Sequence, residues 1–218
     1  QRLFAPVDGA SSVTICASRC LCMLGMHRSG TSALARVINL LGIDLGSQLV
    51  PAGVDNPKGF WEHKDIVQVH ERLFEALDTW YDDTLILPPR WTEFESVDVC
   101  REGIKRIVRD DLAPRGFWGF KDPRTCRLLP LWQELFVELR VSPSYVLMLR
   151  NPWEIAYSLA VRNGFAVNKS LLLTLLHLLE AEHHTRGGVR AVVTYDESGT
   201  CDAQSGVCSY NNAERGGF

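Results

Sequence analysis

The chain has 218 residues, of which 46% are hydrophobic and 22% charged, and its net charge is −3. These values are typical of a globular protein, and the length favours one α/β domain over two. A negative net charge provides no general attraction to nucleic acid or anionic membranes, so any anion site has to be local. No apolar run approaches the ~20 residues that span a bilayer.

The seven cysteines contain no C-x-x-C pair, which argues against a metal site and favours free thiols in a reducing, cytoplasmic setting. Residues 1–18 are small and polar and are expected to form a loose arm without the features of a signal peptide. Residues 197–218 have no periodicity and are expected to form an irregular tail, truncated or altered relative to a natural continuation. The predicted domain is residues 19–196.

In chain order, the apolar run RCLCMLGM at residues 19–26 predicts a buried strand. Apolar residues at helical spacing between Ser32 and Leu41 predict a helix that Gly42 ends. Beyond it, helices alternate with short apolar strands, which indicates βαβ units and a mainly parallel sheet. The further helices are predicted at about 62–77, 97–112, 125–139, 151–162 and 169–184, and the further strands within 116–124, 142–150 and 189–196.

The stretch LGMHRSGTS lies between the first predicted strand and the first predicted helix. Gly25 and Gly30 are five residues apart, which nearly matches the phosphate-binding signature G-x-x-x-x-G-K-[ST], but Thr31 occupies the lysine position. Backbone N–H groups and a helix N-terminus still provide a cradle for an anion, and the cation is Arg28 within the loop. The strand YVLMLR ends in Arg150 rather than in a magnesium-supporting aspartate. The pattern therefore predicts an anionic ligand bound without a metal.

Two motifs carry a family resemblance. MHRSGTS resembles the 5′-phosphosulfate loop of the P-loop sulfotransferases, and LRNPWEIAYSLAVR resembles their 3′-phosphate motif, with Arg150 at a strand end and Ser158 in the next helix. NPKGFWE and FKDPR resemble the bacterial, carbohydrate-related branch, and the similarity spans about Arg19–Asp196. It implies a P-loop-type three-layer α/β/α fold with a mainly parallel central sheet. It also implies transfer of a sulfuryl group from 3′-phosphoadenosine 5′-phosphosulfate (PAPS) to a hydroxyl or amine, with a carbohydrate or glycolipid as one option.

The resemblance also implies roles for individual residues. Arg28 would stabilise charge on the leaving 5′-phosphate, Glu62 would be the general base, and His63 is the alternative base. Asp122 or Lys121 could shape the site from another strand end. From the residues alone, Glu62 could equally favour the positive end of a helix, and Arg162 could be a solvated helix charge. The expected cofactor-binding residues are His27, Arg28, Ser29, Gly30, Thr31, Ser32, Arg150, Ser158 and Arg162.

Two other functions stay open from the sequence. A nucleotide kinase or NTPase with a degenerate loop is disfavoured by the missing lysine and strand-end aspartate. A catalytically silent nucleotide-binding module keeps the cradle, and the abnormal tail favours it. The chain also departs from many cytosolic sulfotransferases in lacking their GxxGxWK segment, a further 3′-phosphate clamp. The expected partner is a small-molecule or glycan acceptor rather than nucleic acid, and neither its identity nor the oligomeric state is predicted.

Overall fold

A four-stranded parallel sheet forms the centre of the computed structural model, which describes residues 18–53 and 56–195. The strands lie in the order β2-β1-β3-β4 and each neighbouring pair is parallel. The predicted α/β class with a mainly parallel sheet is therefore confirmed. The expected tail, and the expected arm apart from Ser18, lie outside the described residues. The strands are β1 (Arg19–Leu24), β2 (Phe117–Lys121), β3 (Ser142–Arg150) and β4 (Arg190–Tyr195).

Six α-helices connect these strands in the described part of the chain, close to the positions that the apolar spacing predicts. None of the described helices has the length and apolar character needed to cross a membrane. The helices are α1 (Thr31–Leu40), α2 (Lys64–Ala76), α3 (Glu95–Ile107), α4 (Thr125–Glu138), α5 (Pro152–Asn163) and α6 (Val167–Thr185).

Both faces of the sheet are buried, because successive side chains of a strand point to opposite faces. In β1, Cys22 and Leu24 pack into a large cluster with α2, α3 and α4, whereas Met23 packs into a smaller cluster with Leu34 and Ala35 of α1. This two-sided burial explains why the strands appear in the sequence as continuous apolar runs without alternation.

Two of the differences from the predicted helix boundaries have a clear structural reason. The helix expected at 97–112 changes after Ile107 into a π-helical turn at Val108–Leu112, close to Pro114, which cannot donate a backbone hydrogen bond. The helix expected from Glu62 begins at Lys64, because the backbone before it pairs instead with an extended segment: Val50 donates to the Glu62 carbonyl at 2.8 Å.

The start of α5 follows its sequence signals. Asn151 precedes the helix, and its side-chain oxygen accepts a hydrogen bond from the Trp153 N–H at 3.0 Å. Pro152 takes the first helical position, where no backbone donor is needed. This cap fixes the direction in which α5 leaves Arg150, the last residue of β3.

Candidate functional site

A cavity of about 460 Å³ opens at the carboxyl edge of the sheet. Parallel strands end at the same edge, and ligands of open α/β sheets bind where the strand order reverses. Here the chain runs from β1 to β2 on one side and then to β3 on the other, so this point lies between β1 and β3. The cavity is lined by His27, Arg28, Gly30, Thr31, Ser32, Ala33, Asn56, Phe60, Glu62, Tyr81, Lys121, Pro123, Arg124, Arg150, Arg162, Asn163 and Tyr195.

The segment Gly25–Gly30, which we call the glycine loop, connects β1 to α1 beside this cavity. Arg28 has a φ of 69° and Gly30 a φ of 95°, both in the left-handed region. Only glycine fits at position 30, because a Cβ there would lie 2.5 Å from the ring of Tyr195. α1 begins at Thr31 without a side-chain cap, so its first N–H groups are the kind of donors that hold anions.

Hydrogen bonds join the two motifs that carry the family resemblance, MHRSGTS and LRNPWEIAYSLAVR, which we call the anchor motifs. Nε of Arg28, in the glycine loop, donates to Oγ of Ser158, in α5, at 2.7 Å. In the opposite direction, the guanidinium of Arg150 donates to the backbone carbonyl of Arg28 at 2.9 Å. Arg150 also donates to Glu154 at 2.7 Å and lies over the ring of Tyr195 at 4.9 Å. The loop and the start of α5 therefore hold each other in place.

The charge on the cavity wall is strongly one-sided. Five of the lining side chains are cationic and one is a carboxylate, in a chain whose net charge is −3. A concave surface with charges of one sign raises the local concentration of ligands of the opposite sign. The cavity is therefore suited to a ligand with several negative charges. The cations are Arg28, Lys121, Arg124, Arg150 and Arg162, and the carboxylate is Glu62.

Glu62, the carboxylate in the wall, is 8% exposed and its Oε1 accepts from Nζ of Lys121 at 2.5 Å. Burial raises the pKa of Glu62, and the nearby Lys121 ammonium offsets only part of that effect. Glu62 lies two residues before α2, and its carboxylate pairs with Lys121. A buried carboxylate with a raised pKa at a cavity wall has the properties of a proton acceptor.

Most of the residues expected from the sequence meet at this cavity. Ser29 is part of the glycine loop, and its hydroxyl is close to Gly25, whereas Ser158 accepts a hydrogen bond from Arg28. His63 is not among the described lining residues: it is buried, and its Nε2 pairs with Asp111 at 2.9 Å. Those that line the cavity are His27, Arg28, Gly30, Thr31, Ser32, Glu62, Arg150 and Arg162.

Several lining residues were not expected. Tyr81, whose ring centroid lies 4.9 Å from that of His27, comes from an aperiodic connection that carries no sequence signal. Arg124 follows the end of β2 in the quoted motif FKDPR, and this strand-end position was the signal that could have identified it. Tyr195 could have been identified in the same way at the end of β4.

Comparisons with known proteins add no family to these observations. No protein-family model matches the chain, and no curated protein is significantly similar to it. In the part of the chain that the structure describes, no group of three or more His, Cys, Asp or Glu residues is arranged to hold a metal ion. The prediction that the site works without a metal stays a prediction, and the site's function has to be argued from its geometry.

Proposed function

We propose that this chain is a PAPS-dependent sulfotransferase with a P-loop-type three-layer fold. The observation that carries the proposal is the cavity wall: five cations and one buried carboxylate around a glycine loop at a helix start. Phosphate and sulfate groups are held by such loops and by arginine forks. The cavity volume lies in the ~300–1,000 Å³ range of sites for small ligands.

In this proposal, PAPS supplies the sulfuryl group when it is bound. The N–H groups at the start of α1, together with the hydroxyls of Thr31 and Ser32, hold the 5′ end. Arg28 lies in the same loop and stabilises negative charge on the 5′-phosphate as it leaves. Most of the rate enhancement in such a transfer comes from positioning and electrostatic stabilisation.

Glu62 accepts the proton of the acceptor hydroxyl in the proposed reaction. Its side chain lines the cavity, and the raised pKa makes it a stronger base than an exposed glutamate. Lys121, hydrogen-bonded to Glu62, fixes the carboxylate in one orientation. Arg150 and Arg162 hold the other end of the nucleotide, where the 3′-phosphate distinguishes PAPS from common adenine nucleotides.

Calorimetry with PAP, the desulfated product, and with AMP tests the nucleotide part of the proposal. PAP should bind much more tightly than AMP. Arg150→Ala should weaken PAP about tenfold to a hundredfold, the value of a hydrogen bond to a charged group, and affect AMP less. Equal binding of PAP and AMP by the unaltered chain would contradict nucleotide selectivity.

Incubation with labelled PAPS and a panel of hydroxyl and amine acceptors tests the transfer itself. Label should move to at least one acceptor in the presence of a metal chelator. PAP binding without transfer to any acceptor would favour the silent nucleotide-binding module. Transfer that stops with chelator and returns with magnesium would favour the kinase-like alternative.

A further inference from the structure

Arg124 faces the same cavity but belongs to neither anchor motif. It is 9% exposed, its guanidinium lies 5.4 Å over the ring of Tyr81, and its NH2 donates to Glu71 at 3.0 Å. Its Nε is buried and has no hydrogen-bond partner among the described residues. A buried donor without a partner is costly, so a ligand that accepts from it would gain this hydrogen bond.

The buried carboxylate of Asp122 holds Arg124 in place through two hydrogen bonds. Oδ1 of Asp122 accepts from the backbone N–H of Arg124 at 3.0 Å and from its NH1 at 3.1 Å. Oδ2 of Asp122 accepts from Nδ1 of His70 at 2.8 Å. Burial alone would raise the pKa of Asp122, but the charge of Arg124 and the His70 hydrogen bond hold it well below its usual range. Asp122 is therefore an ionised anchor rather than a proton acceptor.

His70 is held in one tautomer by Trp132. The indole N–H can only donate, and it donates to Nε2 of His70 at 2.9 Å. Nε2 is thus unprotonated, and the remaining proton on Nδ1 points to Asp122. All three side chains are fully buried, so this chain of hydrogen bonds has no contact with solvent.

Such a chain fixes the direction of a guanidinium, because every polar atom along it has a defined donor or acceptor role. A charged group held in this way is preorganised for a ligand and loses little freedom on binding. We propose that Arg124 binds a phosphate or sulfate oxyanion in the cavity, and that Asp122, His70 and Trp132 are its buried positioning residues. That the anion belongs to PAPS or to the transferred group rests on the proposed function; the presence of an anion site at Arg124 does not.

Arg124→Gln tests the binding role in two arms. The first is calorimetry with PAP. The second is the thermal stabilisation by sodium sulfate relative to sodium chloride at equal ionic strength, measured with and without saturating PAP. If Arg124 holds a nucleotide phosphate, PAP affinity falls about tenfold to a hundredfold. If it holds the transferred group, PAP affinity is unchanged and the sulfate effect is lost.

Arg101→Gln is the matched control, because Arg101 also has a carboxylate partner, Glu134 at 2.7 Å, and does not line the cavity. It should leave both arms unchanged. Unchanged PAP affinity in Arg124→Gln overturns the inference if the sulfate effect is as large as in the wild-type chain, or if it is absent from both. A wild-type chain that responds to sulfate but binds no PAP overturns the proposed function alone.

Substitutions of His70 test the positioning role. His70→Leu should reduce the same quantity that Arg124→Gln reduces, either the PAP affinity or the stabilisation by sulfate. His70→Asn, whose amide retains an N–H for Asp122, should restore most of it. If His70 had a purely structural role, both substitutions would lower the melting temperature, but ligand binding would not decrease from wild type to His70→Asn to His70→Leu. Trp132→Phe removes only the indole N–H and serves if His70→Leu does not fold, with an expected loss of a few-fold. Wild-type affinity in the folded variants overturns the positioning role.

Discussion

Glu62 and Lys121 illustrate how a single residue pair sets the conditions under which the proposed site works. Burial raises the pKa of Glu62 although Lys121 lies 2.5 Å away. A base has to be unprotonated, so the rate of transfer should fall as the pH drops through this raised pKa. That fall should lie at higher pH than the value of about 4.3 for a free glutamate.

Glu62→Gln should lower turnover by about 10²–10⁴-fold while PAP affinity changes little, because the amide cannot accept a proton in the pH range of the assay. Turnover with a labelled sulfate donor and calorimetry with PAP measure the two effects separately. The acid limb of the wild-type pH profile should be missing from the residual rate. A variant with the wild-type rate would exclude Glu62 as the base.

The hydrogen bond between Arg28 and Ser158 changes what is expected of Ser158. The sequence motif assigns Ser158 to the 3′-phosphate, whereas the structure also places its hydroxyl against Nε of Arg28 at 2.7 Å. Ser158→Ala should therefore weaken PAP and AMP alike, as Arg28→Ala should. In a double-mutant cycle the two losses in PAP affinity should be non-additive by about 0.5–3 kcal/mol. Additive losses would show that the hydrogen bond has no role in binding.

At the scale of elements, the junction of the glycine loop and α1 depends on Gly30. Gly30→Ala should cost about 1–2 kcal/mol for the left-handed backbone and a further amount for the contact with Tyr195. Gly42→Ala is the matched control, since Gly42 has a φ of 94° and no atom within 4 Å of an added Cβ. Denaturant unfolding should show a larger loss for Gly30→Ala, and PAP affinity should fall only in that variant. Equal losses would exclude the contact with Tyr195.

The helices and strands were largely predictable because local signals determine them. Apolar spacing places α2, and the cap at Asn151 places α5. The pairing of Glu62 with Lys121 and the contact of Tyr195 with Gly30 join segments far apart in the chain. No local pattern encodes such a contact. Only the rule that parallel strands end at one edge predicts the general place where these residues meet.

At the scale of the whole molecule, a half-buried carboxyl away from the candidate site makes the stability depend on pH. Glu180, in α6, lines a smaller cavity with Arg127 and His184. Burial raises its pKa to about 7, and Arg127 offsets part of the rise. The folded state therefore binds this proton more tightly than the unfolded state, whose glutamates titrate near 4.3.

Stability from protonated Glu180 is fully present below about pH 4.3 and is lost as the pH rises through about 7. Relative to Glu180→Gln, the melting temperature of the wild-type chain should fall between pH 5 and pH 8. Thermal unfolding of both proteins across this range is the measurement. Parallel curves would mean that Glu180 titrates normally in the folded chain.

The contacts of Arg28 with Arg150 and Ser158 also affect when the glycine loop can form during synthesis of the chain. Ser158 follows Arg28 by 130 residues, so at about 5–20 residues per second the ribosome delivers it on the order of ten seconds later. Until then the glycine loop lacks both Arg150 and Ser158, and Tyr195 arrives later still. A ribosome-bound chain that ends before Arg150 should not be retained on immobilised PAP, whereas one extended well past Tyr195 should be. Retention of the shorter chain would show that the loop forms without its late partners. If only the longer chain is retained, capture on PAP reports the docking of β4 during synthesis.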